Sequence, residues 1–431
     1  MNPNAAGIDV GAHESYVAVP PERNEQPVRS FGCFTEDLHA LADWLIACGI
    51  TSVALESTGV YWVPIFQILE TCGVEVFLVN ARHIKAVPGR KTDVLDCQWL
   101  QELHSFGLLA ASFRPADDIC VLRSYWRHRD NLVRDAAAHT QHRQKALEQM
   151  NIQLHKVISD STGVTGLRII DAILAGQRDR LQLAALKDDR IASSRETIAK
   201  SLVGDYRPAP LFTLRQALDA YRSYQRLLAQ CDTQIEAMLQ TFDSALEPEE
   251  VPCPPPTTSH RTPQRNEPHF DLRHELSRIL GVDLTQGPGL NTLTVHTLFG
   301  ELDRDLSRFP TVKHFTSWLG LCPDNRVSGG RVLSAHTRTV NNRAATALRL
   351  AAQSLHRRDS ALGEYSRRMR AKLGAPKAIT ATAHNLARLI YHLLTTRTPY
   401  EETTFADNEQ RYQQRRERRL RKEAAALGFV L

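Results

Sequence analysis

The chain has 431 residues, of which 42% are hydrophobic, and carries a formal net charge of +5. No continuous apolar run is long enough to span a bilayer, and the first residues, MNPNAAGIDV, lack the basic-then-apolar order of an export signal, so we expect a cytoplasmic protein with no membrane partner. The eight cysteines form no CxxC pair, which argues against a zinc site or a disulfide framework and predicts buried thiols in a reducing compartment.

The first part of the chain predicts a mixed α/β domain. Apolar or alternating runs predict five strands, at Ala6–Val10, Tyr16–Val19, Val28–Phe34, Ser52–Leu55 and Val74–Val79. Helical patterns cover Glu36–Cys48, Val63–Cys72 and, further on, about Val94–Phe106. Three strands, a helix, a strand, a helix and a strand is the order of the ribonuclease-H-like fold.

Four acidic residues occupy informative positions in that order. Asp9 lies in the first predicted strand, Glu56 ends the fourth, and Asp93 and Asp96 share one face of the following helix. Four carboxylates packed together repel one another unless a cation neutralises them. Hard oxygen ligands suit Mg²⁺ or Mn²⁺, and such sites commonly act on phosphate esters.

Long helices follow from Ile119. Apolar residues recur at intervals of three and four along 214–242, which fits either an intramolecular helical hairpin or a coiled coil that pairs subunits. The first long helix also carries basic residues that face either solvent or a nucleic-acid backbone: Arg123, Arg127, Arg134, Arg143 and Lys145.

The segment Glu247–Pro268 is rich in proline and predicts a linker. Beyond it, Asp283–Leu298 predicts two helices joined by a Gly-Pro-Gly turn, whose backbone amides offer a weak phosphate-binding signal. Basic clusters later in the chain, around Arg367 and Arg418, add to the case for a nucleic-acid partner.

Ser328 precedes two glycines, and Arg326 and Arg331 flank it. Ser-Gly-Gly is ordinary turn chemistry, and that is the simpler interpretation. The alternative is a nucleophile, because glycines let a phosphodiester approach the backbone and the arginines would stabilise its charge. A serine needs an activator, and the acidic site of the first domain is the obvious candidate.

Several separated motifs are together specific enough to identify a protein family. They are ALESTGVYW, KTDVLDCQWLQELHSFGLL, HFTSWLGLCPDN, RVSGG, NNRAATALRLAAQSL and GAPKAITATAHNLARLIY. The chain resembles the insertion-sequence-110 family of transposases, within it the 1111 subgroup, related to the Piv DNA invertases. The resemblance covers essentially the whole chain. His296 stands where a small residue is commoner in this family.

The resemblance implies an α/β plus all-α architecture: an N-terminal RuvC-like (RNase H-like) mixed-sheet domain, a long helical coiled-coil region and a mainly helical transposase domain. We expect these divisions at residues 1–118, 119–245, 246–272 (linker), 273–400 and 401–431 (basic tail). The family's DEDD acids fall on Asp9, Glu56, Asp93 and Asp96 as Mg²⁺ or Mn²⁺ ligands, and its catalytic serine falls on Ser328.

Relatives excise and insert a mobile element at specific sites in donor and target DNA, guided by a structured RNA that the element encodes, the bridge RNA. They work as dimers of dimers in which the acids of one subunit meet the serine of another. The residues expected to contact nucleic acid are Arg326, Arg331, Arg123, Arg127 and Arg343.

Two other classes of function fit the same residues. The first is a metal-dependent nuclease or junction resolvase, in which water attacks the phosphate and Ser328 is only a turn residue. The second is a non-catalytic RNA or DNA binder that has kept the fold. Covalent attachment of the protein to DNA separates the first from a recombinase, and metal-dependent cleavage excludes the second.

Overall fold

A computed structural model describes residues 2–57, 59–80, 92–245, 266–304 and 306–402, together with 414, 417, 418 and 421. These residues form two compact units, Met1–Arg114 and Pro115–Leu431. Residues 246–265 of the predicted linker and most of the predicted basic tail lie outside the described residues, whereas 266–272 are described. No helix in the described ranges is long and apolar enough to cross a membrane.

The first unit is built on a five-stranded mixed sheet in the order β3-β2-β1-β4-β5. Its strands are β1 (Ala5–Val10), β2 (Glu14–Ala18), β3 (Val28–Gly32), β4 (Ser52–Glu56) and β5 (Glu75–Val79). Strands β1, β2 and β3 are antiparallel neighbours, whereas β4 runs parallel to both β1 and β5. This confirms the predicted mixed sheet, and its order is consistent with a RuvC-like domain.

Three helices cover the two faces of this sheet: α1 (Thr35–Ala47), α2 (Trp62–Thr71) and α3 (Asp93–Ser105). Ile8, Val17 and Leu55 point into a core that α1 and α2 close. The opposite face, which carries Ala54 and Val79, packs on Leu100 of α3. Because strand side chains alternate between faces, each strand contributes every second residue to the α3 side.

The second unit begins with an antiparallel helical hairpin of α4 (Asp117–Gln149) and α8 (Pro208–Gln240). The thiol of Cys231 donates to the carbonyl oxygen of Tyr125 at 3.5 Å, and the ring of His139 stacks on Tyr224 with centroids 5.3 Å apart. The apolar seam predicted over 214–242 therefore packs within the chain, and a coiled coil between subunits stays a prediction.

Small helices close the far end of this hairpin: α5 (Val164–Leu174), α6 (Arg180–Ala185) and α7 (Arg195–Ser201). Their apolar faces form one core with Leu147 of α4 and Leu214 of α8. Arg143 is fully buried there, with its guanidinium 4.9 Å from the ring centroid of Tyr221. Both alternatives for Arg143, a position facing solvent and one facing a nucleic-acid backbone, are therefore wrong, because the side chain is buried inside the hairpin and an aromatic ring stabilises its charge.

The rest of the second unit is mainly helical, as predicted, but it also contains a small sheet. Its helices are α9 (Leu272–Leu280), α10 (Thr292–Leu302), α11 (Val312–Trp318), α12 (Arg343–Leu355), α13 (Ala361–Leu373) and α14 (Ala375–Thr396). Strands β6 (Arg326–Ser328) and β7 (Arg331–Ser334) form a hairpin that the sequence did not predict.

The predicted Gly-Pro-Gly turn lies between a short 3₁₀ turn, Leu284–Gln286, and α10. Gly289 has a φ of +80°, and a Cβ built on it would press against Leu355 and the backbone of Ala351 on α12. The glycine is therefore explained by close packing of the turn against α12. Nothing in this packing adds support to the phosphate interpretation.

Among the described cysteines, Cys48, Cys97 and Cys231 are buried and none forms a disulfide. Cys33 and Cys72 are exposed, so the expectation that all the cysteines are buried is wrong for these two. Cys33 follows an edge strand and Cys72 ends α2, and each lies where its element leaves the core.

His296 on α10 is fully buried, and its ring centroid lies 3.7 Å from that of Trp126 on α4. Within the described chain, neither ring nitrogen has a hydrogen-bond partner. Burial, reinforced by the positive charge of Arg129, lowers the pKa of His296 to about 3. The imidazole is therefore neutral in the folded protein at all pH values near neutrality.

We predict that this histidine makes the second unit sensitive to mild acid. Below pH 6.5 the unfolded chain protonates His296 while the folded chain does not, so the free energy of unfolding falls as the pH falls. The loss reaches about 2 kcal/mol at pH 5. Urea unfolding at pH 7.5 and at pH 5 measures this loss of stability. The variant His296→Leu should show no such loss.

His128 is the matched control for that experiment, since it lies on α4 near Trp126 but is exposed. His128→Gln should leave the difference between the two pH values unchanged. An equal loss of stability in wild type and His296→Leu would contradict the assignment.

Candidate active site

The α3 side of the first sheet carries the acidic residues of strands β1 and β4. Gly7 faces α3 so closely that a Cβ built on it would overlap the backbone of Cys97 and Gln101. Asp9 is two residues further along β1 and therefore points to the same side. Asp9 is only partly buried, whereas its neighbours Ile8 and Val10 lie in the core on the other face.

Glu56 lies beside Asp9 at the carboxyl end of the parallel pair. Gly7 pairs with Ala54 and Ile8 with Leu55, so Asp9 and Glu56 are the next positions on the two strands. Neighbouring strands are about 4.8 Å apart, which makes the two carboxylates adjacent on one face. Ala54, two residues before Glu56, packs on α3 and fixes which face that is.

Helix α3 brings the second pair of acids to the same face. It begins at Asp93, and its N-cap Thr92 accepts a hydrogen bond from the amide of Leu95 at 3.3 Å. Asp93 is exposed and Asp96 is partly buried, both in the first turn. Free backbone amides at a helix N-terminus stabilise negative charge, so this is a favourable place for two carboxylates.

Cys97 shows how closely the two pairs approach. Its thiol is buried on α3, and burial followed by the negative charge of Asp9 raises its pKa to about 12, with a smaller contribution from Asp96. Acids from β1 and from α3 therefore act on the same side chain. Cys97 stays a neutral thiol next to them.

Tyr16 is a second neighbour of the acids that sequence reasoning missed. It pairs directly with Asp9 across β1 and β2, so its ring lies on the same face. Its hydroxyl donates to the Glu14 carboxylate at 2.9 Å, and this bond, with smaller effects from the charges of Glu14 and Asp93, raises its pKa. The antiparallel register of the first two strands was the signal that could have identified it.

The four acids have the right chemistry for a hard divalent cation, because such ions prefer carboxylate oxygens as ligands. In the described parts of the chain, no three His, Cys, Asp or Glu side chains converge in the arrangement of a metal site. The strands and α3 thus bring the acids to one side of the sheet, while metal ligation by them stays a prediction.

Ser328 lies in the second unit, at the tip of the β6–β7 hairpin. The two-residue turn is Gly329-Gly330, with φ values of +53° and +73°, as a type I′ turn requires. Ser328 pairs with Arg331 across the two strands. The side chains of these two residues therefore lie on the same face of the hairpin. Residues 323–333 are all exposed, so the serine is open to a large substrate.

The other predicted nucleic-acid residues have partners within the chain. Arg123 donates to the carbonyl oxygen of Gly300 at 2.8 Å, and Arg127 forms a 2.8 Å ion pair with Glu301. Arg343 lies 3.4 Å from Asp130. These contacts join α4 to α10 and α12, whereas Arg326 and Arg331 are exposed on the hairpin. Contact of any of the five with nucleic acid stays a prediction.

Two family models match the chain. Residues 6–152 match the DEDD transposase model of the IS110 family, and residues 283–367 match the model described as "Transposase IS116/IS110/IS902 family". The chain belongs to the IS110 family of transposases. The first match contains all four acids and the second contains Ser328. No curated protein matches the chain significantly.

Membership of this family makes the protein an enzyme that acts on DNA as a transposase or recombinase. DEDD transposase domains typically use divalent metal ions, which agrees with the carboxylate-rich face of the sheet. Asp9 and Asp96 are the first and last of the four acids in sequence, so all four lie in the first unit.

We predict that the ring of Tyr16 contributes to the rate of DNA strand cleavage and that its hydroxyl contributes little. The ring lies on the residue directly opposite Asp9, whereas the hydroxyl donates to the exposed Glu14. Tyr16→Ala should slow single-turnover DNA strand cleavage roughly tenfold by letting Asp9 shift. Tyr16→Phe should keep the rate within about threefold of wild type. Equal losses in the two variants would instead implicate the hydroxyl.

Proposed function

We propose that this transposase excises and inserts its element by serine attack on DNA phosphodiesters, guided by an element-encoded structured RNA. The proposal is supported by two features that occur in the same chain, one in each unit. One unit presents Asp9, Glu56, Asp93 and Asp96 on a single face. The other presents Ser328 on an exposed hairpin tip.

A divalent ion held by the four acids would stabilise the charged phosphate and make the Ser328 hydroxyl more acidic. Ser328 Oγ attacks phosphorus and loses its proton, while the bond to the 3′ oxygen breaks and that oxygen gains a proton. The products are a phosphoserine-linked strand and a free 3′ hydroxyl. Strand exchange follows when a 3′ hydroxyl released from another duplex attacks the phosphoserine and the serine leaves. The number of phosphodiester bonds is conserved, so no high-energy cofactor is consumed.

The exposed hairpin favours a serine nucleophile over the water of a simple nuclease. A large substrate can reach the Ser328 hydroxyl directly, since every residue from 323 to 333 is exposed. Arg331, paired with Ser328, supplies positive charge where the phosphate would lie. Glycine at both turn positions lets the DNA backbone approach without a clash.

RNA guidance and a dimer of dimers are further parts of the proposal, and they rest on the family resemblance. If RNA pairing reads the target, the protein contacts backbone and shape, and its binding should weaken steeply with salt. Acids and serine would then meet between subunits of the assembly.

The decisive experiment replaces Ser328 with Ala. DNA and RNA binding should persist, because the hairpin stays exposed and its glycine turn is unchanged. The covalent protein–DNA adduct, detected by denaturing electrophoresis after reaction with radiolabelled DNA, should vanish. Ser334→Ala, on the other strand of the same hairpin, should retain the adduct. An adduct that persists in Ser328→Ala would remove Ser328 from its role and favour the nuclease alternative.

A further inference from the structure

A cleft of about 1060 Å³ lies between α13 and α14 and is closed on one side by residues 398–401. This volume is slightly above the roughly 300–1,000 Å³ typical of ligand sites. The lining residues that matter are Tyr365, Arg368, Asn385, Arg388, His392 and Tyr400. All but Tyr365 lie beyond the region that matches the transposase family model.

The cleft carries excess positive charge. Arg368 and Arg388 line it from two different helices, and Glu401 is the acidic residue among its lining residues. Arg388 is exposed and forms no ion pair with any acidic side chain that the structure describes.

Aromatic rings accompany these arginines. The guanidinium of Arg368 lies 5.5 Å from the ring centroid of Tyr365, which holds both groups at the cleft wall. Tyr400 is half-buried on the opposite side, in the segment that follows α14. Glu402, two residues on, accepts a hydrogen bond from the amide of Ala361 at 2.9 Å and ties this segment to the start of α13.

We propose that this cleft binds an unpaired nucleotide stretch of the enzyme's nucleic acid. Arg368 and Arg388 bind the phosphates, a base stacks on Tyr365 or Tyr400, and the Asn385 amide contacts a base edge. A paired duplex does not fit this description, because its base faces are already stacked. An uncharged ligand would offer no counter-charge to Arg388, which is exposed in the cleft. The proposal rests on the enzyme acting on nucleic acid and does not depend on Ser328 being the nucleophile.

The test compares Arg388→Gln with Arg370→Gln in the full-length protein. Arg370 is exposed on α13 but does not line the cleft, so both variants lose one charge from this region. Fluorescence anisotropy would measure binding of single-stranded DNA, single-stranded RNA and duplex DNA of one length. Arg388→Gln should weaken binding of a single-stranded ligand about tenfold, and Arg370→Gln by no more than about twofold. Tyr365→Leu should weaken the same ligand by a similar factor.

The three ligands distinguish the source of the nucleotide. A loss confined to RNA assigns the cleft to RNA, and a loss confined to single-stranded DNA assigns it to a displaced strand. Photocrosslinking with iodouracil-substituted oligonucleotides should map to peptides that contain Tyr365 or Tyr400. Equal losses in the two arginine variants, a loss for duplex alone, or crosslinks only elsewhere would overturn the proposal.

The adduct assay separates this outcome from failure of the proposed chemistry. If Ser328 forms the adduct and the cleft variants bind normally, only the cleft proposal fails. If Ser328→Ala keeps the adduct while Arg388→Gln loses single-strand binding, only the serine mechanism fails.

Discussion

Asp9→Asn is expected to lower the single-turnover rate of DNA strand cleavage at least about 1000-fold. Asp9 lies beside Glu56 on the central strand, and its charge acts on Cys97 of α3, so it is the acid closest to both other parts of the acidic face. The amide keeps the shape of the side chain but removes its charge and one hard oxygen ligand. The fold should survive, because Asp9 is only partly buried and its neighbours in the core are unchanged.

Glu75→Gln is the matched control for this prediction. Glu75 is an exposed acid on β5 of the same sheet, but it begins that strand, at the end of the sheet away from Glu56. Its loss should leave cleavage unchanged. Cleavage at the wild-type rate in Asp9→Asn, or full activity in excess chelator, would refute a metal site built on these acids.

The sequence predicted the first unit well because its signals are local. Apolar or alternating runs mark each strand, with Asp9 inside one such run and Glu56 at the end of another. Their proximity, however, depends on β1 pairing with β4 across some forty intervening residues, a register that no local pattern contains. Tyr16 was missed for the same reason, since its place opposite Asp9 follows only from the antiparallel register.

In the second unit, the sequence left two questions that only tertiary packing answers. The three-and-four spacing along α8 fits any helical partner, and contacts such as Cys231 with Tyr125 show that the partner is α4. The β6–β7 hairpin was missed because its strands have only three and four residues, too short for a periodic signal. Its Ser-Gly-Gly turn was nevertheless recognised as a turn, because two consecutive positive φ angles favour glycine.

A buried ion pair between Arg129 and Asp232 provides the second large effect that we expect. The two side chains are 4% and 3% exposed and are joined through two hydrogen bonds, one of them from Nη2 of Arg129 at 3.4 Å. Arg129 also donates to the carbonyl oxygen of Asn266 at 2.9 Å, and Asp232 accepts from the amide of His269 at 3.3 Å. The pair therefore connects both long helices to the chain that enters the C-terminal region.

Asp232→Ala should destabilise the second unit by about 3–5 kcal/mol, because it leaves the guanidinium of Arg129 buried without its counter-charge. The shift of the urea unfolding midpoint measures this loss. Asp219→Ala, an exposed acid on the same helix, should change stability by less than about 0.5 kcal/mol.

The double variant Arg129→Met, Asp232→Leu distinguishes the cost of an unpaired charge from the value of the pair itself. Replacing both members by apolar side chains removes the uncompensated charge, so most of the stability lost in Asp232→Ala should return. Recovery should stay incomplete, because the carbonyl of Asn266 and the amide of His269 lose their partners in the pair. If the double variant is as unstable as the single one, the energy lies in those two backbone contacts, and the ion pair matters chiefly as their anchor.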